Sequence, residues 1–357
     1  MTNASNNPEA ARLETGLADM SPANFGLVMA TGIISLAAFM MKFETLATGM
    51  FYLNVSQYGL LCVLYFLRAW RYPARFFGDM FTHLTGPGYF TAVAGTGILA
   101  SQFMIIRGDL VGGGVLWVFA LVLWLLLTYT IFVTFTITPR KPSLDRGING
   151  GWLLAVVATQ SLSVSSAVLA AGIDQPYRLE LNFFALSMWL WGGMLYIWMM
   201  ALIFYRYIFF NFSPADLAPP YWINMGAMAI STLAGSLLIL NAPQASYLAS
   251  LLPFLKGFTI FYWATGTWWI PMLLLLAIWR YVYKRFPLNY DPLYWGAVFP
   301  LGMYAACTWQ LDQAMEFGFL TQLTHAFFYI ALAAWTATFA GMLYTRVYRR
   351  GRAVIGK

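Results

Sequence analysis

The chain has 357 residues, of which 61% are hydrophobic and only 9% charged, with a formal net charge of +7. Soluble domains carry about 25% charged residues, so this composition excludes a soluble globular fold and makes lipid the solvent for much of the surface. The positive excess lies at the ends of apolar runs, as in membrane topology signals. The expected partner is therefore the bilayer and not nucleic acid.

Residues 1–23 are polar, carry Glu9, Arg12, Glu14 and Asp19, and lack a leading basic cluster. They read as a cytoplasmic tail, not a signal peptide. A span needs roughly 20 mostly apolar residues. Ten such runs follow, at about 24–42, 50–71, 88–106, 112–137, 149–171, 182–210, 221–240, 252–283, 292–311 and 318–347. The eighth is interrupted by Pro271, which predicts a kink or tilt. The expected organisation is a ten-helix transmembrane domain over 24–347 and a basic cytoplasmic tail over 348–357.

With the N-terminus inside, 16 Lys and Arg residues fall on the cytoplasmic side and 4 (Lys42, Arg107, Arg178 and Lys256) outside, accounting for all 20. This bias predicts cytoplasmic termini and an even number of spans.

The runs alternate in character. Odd ones carry small and hydroxyl residues, as in MATGIIS (29–35), AVAGTGILAS (92–101) and VVATQSLSVSS (156–166); even ones are bulky, as in VLWVFALVLWLLL (115–127). Each odd run opens on an aromatic residue: Phe25, Phe90, Trp152, Trp222 or Trp295. The period is about 60–75 residues, a signature of internal repetition. The predicted fold is all-α: five helical hairpins, each pairing an inner with an outer helix.

Polar groups in hydrocarbon need a partner or water, whereas small residues also serve close helix packing. Five polar inner helices together predict a shared central path. Its candidate lining is Met29, Thr31, Ser35, Thr96, Val156, Thr159, Ser163, Gly226, Ser231 and Thr308. All 13 acidic residues lie at span ends, in loops or in the tail. Cation and proton routes ordinarily carry intramembrane carboxylates, so a neutral path for anions fits better. Inner helices point their positive dipole ends to the cytoplasm, and Arg75, His83, Arg140, Lys141 and Arg146 form a candidate anion entrance there; the positive-inside rule alone also accounts for these charges.

Cys62 and Cys307 lie inside apolar runs as small buried hydrophobes, and His325 reads as a core histidine beside Thr321 and Thr324. Neither a metal-ligand spacing nor a nucleophile–base pair stands within the spans, so the reading is a non-enzyme without metal or cofactor.

The motifs FGLVMATGIIS (25–35), GPGYFTAVAGTGILASQ (86–102), WATGTWWIP (263–271) and YWGAVFPLGMY (294–304) resemble the tellurite-resistance/dicarboxylate transporter family. That family includes bacterial TehA, the fungal malate permease, the fungal sulfite exporter and the plant slow anion channels. The resemblance implies a quasi-fivefold central pore, often in a homotrimer with one pore per subunit. It further implies a C4-dicarboxylate such as malate as substrate, with sulfite or tellurite export as the alternative, and a phenylalanine plug in the ninth helix. The Phe-Pro pair within WGAVFPLG (295–302) places that gate at Phe299 and Pro300. A structural or sensory membrane protein is the reading of another class.

Overall fold

The computed structural model describes residues 16–288 and 290–355, with side chains to residue 345. The tail expected over 1–23 therefore lies largely outside the described residues, as do the side chains of the basic C-terminal stretch. Ten long helices run in order: α1 (Gly26–Met40), α2 (Glu44–Arg71), α3 (Phe90–Ile106), α4 (Leu110–Ile137), α5 (Leu154–Gly172), α6 (Tyr177–Phe209), α7 (Ile223–Asn241), α8 (Leu252–Ile278), α9 (Trp295–Met315) and α10 (Thr321–Ile355).

Each odd helix pairs with the even helix that follows it, and the odd helices form a closed ring, α1 against α3, α3 against α5, α5 against α7, α7 against α9, and α9 back against α1. The five hairpins are thus arranged as the repeat implies. Burial separates the two layers. In the most apolar stretch of Gly150–Gly172, 94% of residues are buried, against 22% in that of Leu110–Ile137. The outer helices turn Phe66, Trp70, Val118, Leu126, Ile197, Trp198, Leu275 and Tyr329 outward, a surface that only lipid or another apolar face can cover.

Among the described residues, nine of the ten helices are long and apolar enough to cross a membrane on mean hydropathy. The tenth, α9, carries Tyr304, Trp309, Gln310 and Asp312 along its length; packed between α7 and α1, it is screened from lipid and needs less hydropathy. The helix bounds agree with the sequence to within a few residues except at two outer starts and at the last end, where α10 continues to Ile355 and not 347, through most of the stretch expected as a tail. The second helix begins at Glu44, not 50, and the sixth at Tyr177, not 182, because polar residues extend these helices beyond the apolar stretch that marks them. Beyond the α8 proline, Trp279–Tyr283 continues as a π-turn.

Every inner helix is entered through a short 3₁₀ turn: Pro22–Phe25, Gly86–Tyr89, Gly150–Leu153, Pro219–Trp222 and Pro292–Tyr294. Proline in the first turn presets φ and forgoes an N–H that would be unpaired anyway, and Ser21, Asn149 and Asp291 accept the freed amides of Ala23, Gly151 and Leu293. The rings then pack closely through glycine. A Cβ at Gly226 would stand 2.7 Å from Pro300 Cγ, and one at Gly302 would stand 2.9 Å from Ile33 Cγ2. Close approach of α7, α9 and α1 is what small residues at helix interfaces permit.

Candidate permeation path and its gate

At the N-terminal end of the ring a cavity of about 20 Å³ is lined from all five inner helices, by Gly26, Thr91, Leu154, Ile223, Trp295 and Gly296 at their starts. Ala23, Pro220, Pro292 and Leu293 of the 3₁₀ turns line it too, and Met29 and Phe299 line it from one turn deeper. None of its described lining residues is charged. That volume is room for about one water.

Three residues deeper on each helix, one turn along, stand Met29, Ala94, Val157, Gly226 and Phe299, all buried. Only two are bulky, and they come from the neighbouring helices α1 and α9. In the third repeat the residue at the cavity is Leu154, which follows Leu153 and not Trp152. The residue at the level of Met29 is therefore Val157, one later than Val156. Seven residues beyond the mouth, helical spacing gives Ile33, Ile98, Ser161, Ile230 and Met303, again buried, with the one hydroxyl bonded to Ala158 O of its own helix.

The inner-helix hydroxyls are held elsewhere. Trp335 Nε1 donates to Thr31 Oγ1, Trp124 Nε1 to Thr159 Oγ1 and Trp263 Nε1 to Thr308 Oγ1, while Tyr58 and Thr96 share a hydroxyl–hydroxyl bond of 3.0 Å. Ser35 donates to Ala47 O and Ser163 to Ala185 O, both on outer helices. Ser231 donates to Ala227 O of its own helix, and its carbonyl takes the indole of Trp189. These groups join the inner ring to the outer layer, each bond through an indole or tyrosine running from one hairpin's outer helix to the next hairpin's inner helix. Of the ten residues expected to line the path, Met29 is at the cavity and Gly226 at its level against Pro300.

The expected entrance residues do not converge on one point. Arg75 is exposed and paired with Asp19; Arg140, Lys141 and Arg146 are exposed. His83 stacks on Phe135 with ring centroids 4.2 Å apart, and burial, with the charge of Lys141 second, holds its imidazole below the usual value.

Comparison with known proteins agrees with this architecture. The family described as voltage-dependent anion channel matches residues 19–343. The chain belongs to that family. A relative in Mycobacterium tuberculosis, an uncharacterized membrane protein, is 37% identical over 161 residues, 44% of this chain and 80% of its own. Two uncharacterized transporters of Methanocaldococcus jannaschii are each 23% identical, one over 325 residues (89% of this chain and 90% of its own) and the other over 322 (88% and 91%). As a member of the voltage-dependent anion channel family, the chain is a multi-pass membrane protein of an anion-transporting kind.

This member also carries buried polar groups that sequence reading missed. Arg68, at the end of α2, is buried and pairs with Asp79, Ala18 O and Tyr89 Oη. Arg206, at the end of α6, repeats the arrangement with Asp216 at 3.1 Å, Ile148 O and Tyr221 Oη. The visible signal was an Arg followed ten or eleven residues on by Asp; it was read only as positive-inside charge. Asn54 and Gln102 bond across α2 and α3 at 2.7 Å, fully buried, and nothing in their spacing announces the pair.

Proposed function

We propose that this protein conducts small anions along the five-helix axis, and that Phe299, with Met29 beside it, is the plug. The observation that carries the reading is the cavity at the mouth of the ring: all five inner helices contribute to its wall, none of its described lining residues is charged, and Phe299 is among them. Pro300, inside α9, follows the ring directly and holds it at a point where the helix ladder lacks a donor. The acidic residues support an anion over a cation, since each described one stands at a helix end or in a loop. On this reading the constriction is apolar and gates by excluding water, and the threonine and serine hydroxyls hold the ring in shape from its outer side. The exposed cations Arg75, Arg140, Lys141 and Arg146 raise the local anion concentration at the mouth.

Orientation in the cell membrane with both termini cytoplasmic, and assembly as a homotrimer, belong to the same proposal; they rest on the charge bias and on the family resemblance. A C4-dicarboxylate such as malate is the first substrate to test, and sulfite or tellurite the alternative. The deciding experiment is flux of chloride, nitrate, sulfite and malate in proteoliposomes at a set membrane potential. Potential-driven flux of at least one of them is expected. A protein that passes none, with the plug removed as well as intact, would be the structural or sensory membrane protein that a cavity of this size also suits.

A further inference from the structure

Three outer helices end on the N-terminal side of the inner ring in the same construction, a buried arginine under a phenylalanine ring. Arg68 lies 5.8 Å from the Phe76 centroid, Arg206 5.6 Å from that of Phe212, and Arg280 4.2 Å from that of Phe286. In the first two the guanidinium also meets an aspartate and the tyrosine of the next 3₁₀ turn. The third lacks both. Asp291 stands at the matching spacing, but it is exposed and its carboxylate accepts from Leu293 N at 2.8 Å. Tyr294 is bonded to Tyr281 at 3.0 Å. Arg280 is 7% exposed, and its Nε and Nη1 find no acceptor among the described residues.

A buried guanidinium without an anion is the arrangement proteins avoid, because the desolvated charge is left uncompensated. Nε–H and Nη1 lie on opposite edges of the guanidinium, so each is a separate charged donor left for an oxygen acceptor. Arg280 sits in a π-turn, Trp279–Tyr283, a local widening that recurs at binding sites, and Lys284 and Arg285 beside it are exposed. We infer that Arg280, flanked by Phe286 and Tyr281, is a binding site for an oxyanion of phosphate or sulfate type, which takes the place that Asp79 and Asp216 fill at Arg68 and Arg206. Its source is either a phospholipid headgroup or a free oxyanion. The site adjoins the gate helix: Tyr281, against Arg280, bonds Tyr294, and the neighbouring Pro292 and Leu293 line the same cavity as Phe299. An occupant would thus steady the start of α9.

The test uses the full chain, purified and delipidated in detergent. Thermal unfolding is followed against sodium sulfate, with sodium chloride at equal ionic strength as reference, and bound phosphatidylglycerol is counted by mass spectrometry after incubation with that lipid. A saturable sulfate shift marks a free-oxyanion site; retention of about one phosphatidylglycerol per chain marks a headgroup site. Whichever is seen, Arg280→Gln should weaken it by at least about tenfold, the worth of a charged hydrogen bond, and Arg280→Lys, which keeps the charge without the planar donors, should weaken it less. Arg280→Lys carries the comparison if the glutamine variant does not fold. The inference is overturned if the wild type shows neither response, or if both variants respond as the wild type does.

Discussion

Trp335 Nε1 donates to Thr31 Oγ1 at 3.0 Å, joining residues 304 positions apart. The bond links the last outer helix to the first inner helix and so closes the circle of outer-to-inner contacts begun by Tyr58 and Thr96. It places the Thr31 hydroxyl on the outer side of its helix, away from the axis. Trp335→Phe and Thr31→Val should each lower stability by about 0.6–1 kcal/mol and, combined, should lower it by less than their sum. Anion flux through Thr31→Val should match the wild type. Additive losses, or a flux altered in Thr31→Val alone, would put the hydroxyl back on the path.

Phe299 and Met29 line a cavity of about 20 Å³ and are the proposed plug. A ring there strips water from a passing anion and returns no contact, and an uncompensated charge costs several kcal/mol even after relaxation. Each 1.36 kcal/mol removed from a barrier is about tenfold in rate. Phe299→Ala should raise conductance in lipid bilayers at least tenfold, and Met29→Ala should raise it by less. A variant destabilised by about 3–5 kcal/mol, as for a buried phenylalanine, with unchanged conductance would make Phe299 a packing residue only.

Gly226 is a point of close approach between α7 and α9. An alanine Cβ would meet Pro300 at 2.7 Å (Cγ), 2.9 Å (Cβ) and 3.3 Å (Cα), and the proline ring cannot swing aside. Gly226→Ala should lower stability by about 1–3 kcal/mol, the range of overpacking, and should alter conductance by displacing the gate helix. Gly114→Ala, on an outer helix with nothing within 4 Å, is the control and should leave thermal unfolding unchanged.

His83 gives a pH dependence with a defined sign. Burial, and then the charge of Lys141, lower its folded-state value below the usual 6.5. Folding therefore favours the neutral ring, and the stability it contributes is complete above about 6.5 and lost as pH falls below that value. Between pH 7.5 and 5 the unfolding midpoint of the wild type should fall more steeply than that of His83→Gln. Parallel curves would show that the stack on Phe135 does not depend on the ring's charge.

The sequence by itself determined the solvent, the number of long helices, their pairing and the repeat, because these follow from summed hydropathy, from length and from the alternation of small and bulky runs. The family resemblance, through the FP pair, pointed to Phe299, and the repeat then pointed to Met29 at the corresponding place. What the sequence could not determine was which way each hydroxyl faces. Thr31 and Met29 lie two residues apart on one helix, about 200° around its axis, and the sequence alone names neither face. Only the closed ring assigned them, by bringing Trp335, Trp124 and Trp263 from outer helices onto Thr31, Thr159 and Thr308. The one-residue register of α5, which puts Val157 and not Val156 at the level of Met29, was likewise decided by packing: Leu154 stands at the cavity with Gly26, Thr91, Ile223 and Gly296. Buried charge was the other thing hidden. Arg68, Arg206 and Arg280 read alike as positive-inside residues, and the tertiary structure alone gave two of them an aspartate and left the third without one.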